Sequence, residues 1–345
     1  MLKRFVIVML LAAMMSTVGL VSLTAQDSIE VGPITQAIID RDELICGVNA
    51  SLTGFGVVND AGEYVGFDVD FCRAIAAAIL GDATKVSFRP LTGAERQAAI
   101  QGGEIDMMSR NTTWTLSRDT EWGVIYAPTT FFDGQGIGVR AESGITSIEE
   151  LDGAAVCVQR GTTTELNIAD AFASRGLDYE PVPGDDGPST FQAYLDNRCD
   201  AWTTDKSGIV SYHATSPNPG EHAILDINLS KEPLGPLSPQ SDPQFAEIIA
   251  WTIYGMMNAE EFGITSENVG EYLESDNPEI QRLLGIGDNA SGSYLGIAND
   301  FMVTVLEQVG NYGEVYERNL GELVPERGLN ALYIDGSLLY PMPFR

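Results

Sequence analysis

The stretch KVSFRPLTGAERQAAIQGGEIDMMSRNTTWTLSRD, Lys85 to Asp119, contains a predicted strand, a predicted helix and a second predicted strand in immediate succession. KVSFRPL and EIDMMS favour strands, and GAERQAAIQGG favours a helix that ends at its two glycines. A strand, a helix and a strand in that order indicate a mostly parallel sheet with helices on its faces. The polar loop after EIDMMS therefore begins at the carboxyl end of a strand, where open α/β sheets bind ligands.

The alternation of strands and helices occurs twice in the chain. In the first unit, ELICGVNA predicts a buried strand, and a helix is expected from about Asp68, which can cap it, to Leu80. The second unit alternates from AAVCVQ to HAILDI. Two extended connections, TTFFDGQGIGVRAESG and NLSKEPLGPLSPQSDP, lie beside the second unit. The predicted fold class is therefore α/β, with two α/β lobes joined by two crossing hinge segments.

The N-terminal segment has the pattern of a secretory signal. Lys3 and Arg4 precede a long apolar run, and Ala25 stands near its small-residue end. We predict a signal peptide over 1–25, with cleavage after Ala25 and a periplasmic or other extracytoplasmic location. A retained membrane anchor is the alternative, because the apolar run approaches spanning length.

The remaining boundaries follow from the two α/β units. Residues 26–134 are predicted to form the first part of lobe 1, and residues 135–230 to form lobe 2. Residues 231–345 are predicted to return to lobe 1 and to add a C-terminal helical extension, which is rich in turns and aromatic residues.

The composition argues against one class of partner. The chain has 19 Lys and Arg residues against 49 Asp and Glu residues among 345, and its formal net charge is −30. Such a surface repels phosphate backbones, so nucleic acid is not an expected partner. The acidity fits either a saline habitat or colloidal repulsion in a crowded envelope.

Export favours disulfides over free thiols for the four cysteines. Of the three possible pairings we favour the two local ones, Cys46 with Cys72 and Cys157 with Cys199, which place one bridge in each half of the chain. Buried free thiols or another pairing are the alternatives. The spacings exclude a CxxC metal or redox site, and neither a metal nor a cofactor is predicted.

Two loops at strand ends face each other across the predicted cleft. In the first loop, Arg118 can hold a carboxylate through two parallel hydrogen bonds, with Asn111 and Thr113 as further contacts. In the second loop, free backbone N–H groups at a helix start attract an anion, and ordinary N-capping is the alternative. The residues at this helix start are Gly161, Thr162 and Thr163.

Asp205 supplies a negative charge on the second side of the cleft. It ends one predicted strand and begins the next helix. Its carboxylate either caps that helix or accepts hydrogen bonds from a ligand ammonium group. A carboxylate-binding arginine and an ammonium acceptor across one cleft describe an α-amino acid, provided that Arg118 points inward.

Six stretches of the chain resemble the periplasmic amino-acid-binding proteins of ABC importers, most of all the general L-amino-acid-binding branch. They are CGVNASLTGFGVVNDAGEYVGFDVDFCRA, MSRNTTWTLSRD, CVQRGTTTELN, RCDAWTTDKSG, SKEPLGPLSP and GLNALYIDGSLLYPMPFR. The resemblance extends over essentially the whole chain after the signal. It implies a type II periplasmic-binding fold that closes around a free L-amino acid and delivers it to a membrane permease with a cytoplasmic ATPase. A monomer is expected.

The resemblance also assigns roles to the residues of the cleft. By position, Arg118 matches the family arginine that holds the α-carboxylate, and Thr163 matches its partner in the second lobe, together with the backbone of Gly161 and Thr162. Asp205 matches the aspartate that receives the α-ammonium group. Two further residues match contacts just before the arginine, namely Asn111 and Thr113.

The segment NASLTGF aligns with the part of the family that faces the ligand's side chain. This brings Asn49, Leu52 and Phe55 near that side chain. Relatives that bind basic amino acids typically have an acidic residue where Asn49 stands and an aromatic residue where Leu52 stands. Loss of that charge and of that stacking face removes the contacts that select cations, so broad specificity is predicted.

Four other residues stand out by their type and position. Arg110 is either a structural residue or a contact of the ligand's side chain. Trp114 is expected in the core. His213 and His222 lack metal-ligand spacing and are expected on the surface.

Three functions compete on this sequence. The first is a binding protein for transport. The second is an enzyme on the same scaffold, such as a dehydratase, since a fold does not fix a function; an enzyme would need a general acid or base beyond Asp205. The third is the extracytoplasmic ligand sensor of a receptor, which would require an uncleaved anchor and a separate signalling partner.

Overall fold

The computed structural model of the protein describes residues 31–289 and 291–345. The predicted signal peptide lies outside the described residues. Within the described ranges, no helix is both long and apolar enough to cross a bilayer.

The strands of the described chain form two five-stranded sheets and two smaller ones. They are β1 (Leu44–Val48), β2 (Ser51–Leu52), β3 (Gly56–Val58), β4 (Tyr64–Val65), β5 (Val86–Pro90), β6 (Met107–Met108), β7 (Val124–Tyr126), β8 (Phe131–Asp133), β9 (Gln135–Arg140), β10 (Ala154–Gln159), β11 (Tyr179–Gly184), β12 (Ala201–Asp205), β13 (His222–Ile224), β14 (Glu232–Leu234) and β15 (Leu237–Pro239).

Helices cover the faces of the large sheets. They are α1 (Pro33–Arg41), α2 (Phe67–Leu80), α3 (Arg96–Gln101), α4 (Leu116–Glu121), α5 (Thr163–Ala173), α6 (Gly187–Leu195), α7 (Lys206–Thr215), α8 (Pro243–Glu261), α9 (Pro278–Leu284), α10 (Phe301–Gln308) and α11 (Tyr312–Leu320). Short 3-10 helices lie at Ala141–Ser143, Ile148–Leu151, Pro219–Glu221, Val269–Tyr272, Gly292–Leu295, Gly328–Asn330 and Tyr333–Asp335.

The two large sheets have equivalent strand orders. In lobe 1 the order is β5-β1-β6-β15-β7, and in lobe 2 it is β11-β10-β12-β9-β13. The first three strands of each sheet are parallel, while β15 and β9 run antiparallel to their neighbours. Each antiparallel strand is the one that the chain enters after leaving the other lobe. The predicted α/β fold with two lobes is confirmed.

Two short strands connect the lobes. β8 and β14 pair antiparallel, with Asp133 opposite Glu232 and Phe131 opposite Leu234. β8 leads into β9 of lobe 2, and β14 leads back to β15 of lobe 1. The chain therefore crosses between the lobes through a two-stranded ribbon, and the division predicted at residues 134 and 230 falls beside it.

The core of lobe 1 extends into the C-terminal part of the chain. Helix α2 is buried over most of its length because apolar residues recur on several of its faces, and it ends at Gly81 with φ 71°. Phe67 of this helix packs edge-to-face on Tyr312 and Tyr316 of α11. Residues after Ile264 thus contribute to the same hydrophobic core as α2.

Both predicted disulfides are present, and both tie a strand region to a neighbouring segment. Cys46 of β1 is bonded to Cys72 of α2, and Cys157 of β10 is bonded to Cys199, which precedes β12. Among the described residues no free cysteine is found.

Three local predictions are wrong. Asp68 does not cap α2, because Gly66 holds the cap position and Asp68 lies inside the helix with its side chain buried. Trp114 is 42% exposed, stacked on Tyr126 at 5.3 Å between ring centroids. His213 is buried and not on the surface, because its Nε2 accepts a hydrogen bond from Trp202.

Candidate functional site

A cavity of about 380 Å³ lies between the two lobes. Asn49, Leu52 and Asn111 line it from lobe 1, and the wall contributed by lobe 2 includes Gln159 and Thr204. Asn111 follows β6, Gln159 ends β10 and Thr204 lies at the end of β12. The cavity thus lies beyond the carboxyl ends of parallel strands in both sheets, where the strand pattern predicts a ligand site.

The lobes also touch directly beside the hinge ribbon. The hydroxyl oxygens of Thr113 and Thr163, one from each lobe, lie 3.3 Å apart. Both hydroxyls donate to the same carboxylate oxygen of Glu232, at 2.5 and 3.1 Å. Asn167 donates to the other oxygen of Glu232 at 2.9 Å. A buried carboxylate on the hinge ribbon therefore joins two residues that the sequence places on opposite sides of the cleft.

Arg118 is buried beside this contact. Its Nη1 donates to the carbonyl oxygen of Thr113 at 3.0 Å, and its guanidinium lies over the ring of Trp122 at 5.3 Å. Burial lowers the pKa of Arg118, and the negative charges of Glu232 and Asp205 oppose that shift. The guanidinium thus points toward the interior of the molecule, as a carboxylate-binding role requires.

Asp205 is available for a role other than capping. It occupies the N-cap position of α7, yet within the described chain its side chain makes no capping hydrogen bond. Burial raises its pKa well above the ordinary range, and the nearby charges of Asp133 and Glu232 raise it further. An ammonium group placed here would relieve that repulsion and favour the ionised carboxylate.

The residues Gly161, Thr162 and Thr163 at the start of α5 make two kinds of contact. Some of their groups cap the helix, and one contacts the opposite lobe. Thr162 caps α5, since its hydroxyl oxygen accepts from the N–H of Glu165 at 3.2 Å. The N–H of Gly161 donates to the carboxylate of Glu165 at 2.9 Å. Thr163 alone among the three turns its hydroxyl to the opposite lobe. Thr162 is therefore an N-capping residue, whereas Thr163 contacts the opposite lobe across the cleft.

Hydrogen bonds hold the lobe 1 loop in place. Asn111 has a left-handed backbone with φ 29°, and its N–H donates to the buried carboxylate of Asp68 at 2.6 Å. The side-chain amide of Asn49 donates to the side-chain oxygen of Asn111 at 3.2 Å. Burial raises the pKa of Asp68 to about 7, although the hydrogen bond from Asn111 and the charge of Arg110 oppose the shift. A strained backbone kept by buried partners is typical of binding loops.

The two apolar candidates, Leu52 and Phe55, lie in different environments in the structure. Leu52 lines the cavity, as does Asn49. Phe55 lies in the core of lobe 1, where its ring packs edge-to-face on Phe131 at 5.1 Å and on Phe67 at 6.0 Å. Leu52 therefore lies on the cavity wall, whereas Phe55 lies in the core of lobe 1.

Two buried charged residues of the cleft were missed in the sequence. Arg96 donates to the carbonyl oxygens of Gly93 and Gly161, at 3.0 and 3.1 Å, and so joins lobe 1 to lobe 2. Glu232 lies in a stretch that the sequence marks only as a hinge segment. The sequence features that could have identified them are the arginine in the short helix ERQAAIQ and the glutamate among the prolines of the hinge segment. The arginine stands out because the chain has few basic residues.

Two α/β lobes on a two-stranded hinge, with a polar cavity between facing loops, define a two-lobed ligand-binding protein of the type II periplasmic class. Residues 44–269 match the bacterial extracellular solute-binding proteins, family 3. The chain belongs to this family.

Comparison with known proteins gives the same class of relatives. The chain is 51% identical to the general L-amino acid-binding periplasmic protein AapJ of Rhizobium johnstonii, over 87% of this chain and 89% of that protein. It is 46% identical to the glutamate/glutamine/aspartate/asparagine-binding protein BztA of Rhodobacter capsulatus, over 88% of this chain and 91% of that protein. A solved periplasmic binding protein of an ABC transporter from Brucella ovis, with glutathione bound, superimposes with a TM-score of 0.87 at 46% identity, covering 90% of this chain and 99% of that one.

These relatives are binding proteins of importers and not enzymes. Nothing in the comparisons favours the dehydratase alternative.

Proposed function

We propose that this protein captures free L-amino acids outside the cytoplasm with broad specificity and delivers them to the membrane permease of an ABC importer, which is driven by a cytoplasmic ATPase. It acts as a monomer after removal of residues 1–25. The names of the relatives support the ligand class, and so does the arrangement of charges in the cleft.

One observation carries the proposal. Arg118 of lobe 1 and Asp205 of lobe 2 are both buried, Arg118 donates to the carbonyl oxygen of Thr113, and the charge of Asp205 acts on Arg118. A free α-amino acid carries a carboxylate and an ammonium group on adjacent atoms. Arg118 would bind the carboxylate through charge-assisted hydrogen bonds, with Thr163 as the contact from lobe 2, and Asp205 would accept the ammonium group. Because the two charges come from different lobes, one ligand would stabilise the closed arrangement.

A γ-glutamyl peptide such as glutathione is a second candidate ligand. It also carries a free α-carboxylate and α-ammonium group, and the Brucella ovis relative has glutathione bound. The cavity of about 380 Å³ favours this possibility, because cavities of roughly 300 Å³ or more accommodate ligands larger than a small amino acid.

The test is calorimetric titration of the purified, ligand-stripped protein with each common L-amino acid and with glutathione. Arg118→Ala is compared with Arg198→Ala, which alters an exposed arginine of lobe 2. We expect many amino acids to bind wild type and Arg198→Ala, and binding to be lost in Arg118→Ala. Binding of no amino acid by wild type, or unchanged binding by Arg118→Ala, would overturn the assignment. Mass spectrometry of the exported protein tests whether it begins at Gln26.

A further inference from the structure

The cavity wall contains an arginine that the proposed contacts to the amino-acid backbone do not use. Arg110 follows β6, is buried, and lines the cavity. Its Nε donates to the carbonyl oxygen of Leu91 at 2.8 Å, and its Nη1 lies 3.4 Å from the side-chain oxygen of Asn111. In the described part of the chain, Nη2 has no hydrogen-bond acceptor. One edge of the guanidinium is therefore fixed while the other keeps free donors.

No carboxylate of the described chain neutralises Arg110 through a direct ion pair. The charge of Asp68 acts on Arg110, but the Oδ2 of Asp68 accepts from the N–H of Asn111 at 2.6 Å. The two acidic residues that line the cavity are also engaged in hydrogen bonds. Glu95 accepts from the N–H of Thr92 at 2.7 Å, and Asp186 accepts from the N–H of Ser189 at 2.8 Å. The acids on the wall thus have partners, and Arg110 retains its charge and free donors.

The opposite lobe supplies a second free donor. Gln159 ends β10 and lines the same cavity. Its buried Nε2 has no hydrogen-bond partner among the described residues. This nitrogen reaches lobe 1, since a Cβ atom at Gly93 would lie 3.3 Å from it. A buried amide donor without a partner is costly, so its presence on a cavity wall points to an acceptor supplied by a ligand.

The position of these donors follows from the chain. Arg110 directly precedes Asn111, and Thr204, which also lines the cavity, directly precedes Asp205. The cavity therefore adjoins the groups that are proposed to hold the α-carboxylate and α-ammonium groups. The side chain of an amino acid held there would extend into the cavity, between Arg110 and Gln159.

We infer that Arg110 and Gln159 form a specificity subsite, one donor from each lobe, that binds a carboxylate or carboxamide at the end of the ligand's side chain. The inference rests on the proposed function and adds a preference within it. Acidic amino acids and their amides would bind more tightly than apolar amino acids of similar size, which would still bind through their α-groups.

The first test compares L-glutamine and L-glutamate with L-leucine by calorimetry, in wild type and Arg110→Met. Methionine keeps much of the volume of arginine without its donors or charge. Loss of a hydrogen bond to a charged group should reduce the affinity ratio of glutamine to leucine, and of glutamate to leucine, by about tenfold or more. Leucine affinity should change by less than about threefold. Arg198→Met, on the exposed surface, should leave both ratios unchanged.

The second test reverses the chemistry of the lobe 2 donor. Gln159→Glu places a carboxylate where the amide stood, so it should weaken L-glutamate relative to L-glutamine by about tenfold because like charges repel. Gln240→Glu, at an exposed position, controls for the added charge.

The outcomes distinguish a failure of the proposed function from a failure of the specificity subsite. If wild type binds no L-amino acid, the proposed function fails. If wild type binds amino acids but Arg110→Met weakens glutamine, glutamate and leucine equally, Arg110 is a structural residue and the specificity subsite is wrong. An unchanged glutamate-to-glutamine ratio in Gln159→Glu would remove Gln159 from the subsite.

Discussion

The guanidinium of Arg96 crosses the cleft, and its Nη2 lies 3.1 Å from the carbonyl oxygen of Gly161 in the opposite lobe. A second nitrogen, Nη1, lies 3.4 Å from the hydroxyl oxygen of Thr112, and Nε donates to Gly93 in its own lobe. Arg96 does not line the cavity between the lobes. The residue is therefore placed to stabilise the closed arrangement through its contact with Gly161.

Arg96→Met should weaken every amino acid by a similar factor. The change removes a charge-assisted hydrogen bond that exists only when the lobes are closed, so the open state gains population and the apparent Kd rises by about tenfold. Calorimetry with L-glutamine and L-leucine measures the factor, and small-angle scattering of the ligand-free protein measures the shift toward a larger radius of gyration.

Arg160→Met is the matched control for Arg96. Arg160 is the neighbour of Gly161, is largely exposed, and pairs with Asp185 of its own lobe. It should leave affinity and radius unchanged. An Arg96→Met protein with altered selectivity but an unchanged radius would show that Arg96 acts on the ligand and not on closure.

The two disulfides should contribute unequally to stability. They close loops with sequence separations of 26 for Cys46–Cys72 and 42 for Cys157–Cys199. The loop-entropy model gives losses of about 3.5 and about 4 kcal/mol in the free energy of unfolding when the bridges are removed. Urea unfolding of the two paired Cys→Ser variants measures both. Addition of a reductant to wild type should reproduce the sum, and a variant that unfolds at the wild-type midpoint would contradict the assignment.

The fold could be predicted because its signals are local. Alternating strand and helix patterns indicate the order of elements, and residues such as Arg118, Thr163 and Asp205 stand out because each lies at or after the end of a strand. The cleft contacts of Arg96 and Glu232 could not be predicted, because they join segments far apart in the sequence.

The positions of His213 and Phe55 both depend on partners that are distant in the sequence. The burial of His213 in α7 depends on Trp202 in β12, which donates a hydrogen bond to it. The position of Phe55 depends on Phe131 of the hinge ribbon. Residue type and periodicity carry no information about such partners, so tertiary packing decided both positions.

Amino-acid binding should depend on pH through Asp205. Its pKa is raised, chiefly by burial, so the carboxyl group holds a proton to a higher pH than an ordinary aspartate. A ligand ammonium group favours the ionised form, hence binding must release that proton whenever the pH lies below the raised pKa. Affinity should therefore increase with pH until that pKa is passed and then level off.

Calorimetry in buffers of different ionisation enthalpy measures this proton release, between about pH 5 and about pH 8. Asp205→Asn should bind more weakly and should lose most of the proton release. If the wild-type protein releases no proton at the acidic end of the range, the raised pKa of Asp205 is not coupled to the ligand.

Asp68 should make stability depend on pH in the direction opposite to an ordinary paired aspartate. Burial raises its pKa from 3.8 to about 7 in the folded protein. Below the unfolded value the buried carboxyl group is neutral in both states, and its contribution to stability is fully present. As the pH rises from about 4 to about 7, the unfolded chain releases the proton first, so this contribution is lost. The loss is on the order of 4 kcal/mol.

Asp68→Asn isolates this contribution because asparagine keeps an oxygen that can accept from the N–H of Asn111. The measurement is the free energy of unfolding by urea for wild type and variant at about pH 4.5 and about pH 7.5. The other titrating groups are common to both proteins and cancel in the difference. Wild type should lose stability relative to Asp68→Asn as the pH rises. A difference that is constant across this range, or that grows in favour of wild type, would show that the charge of Arg110 and the hydrogen bond from Asn111 keep Asp68 ionised in the fold.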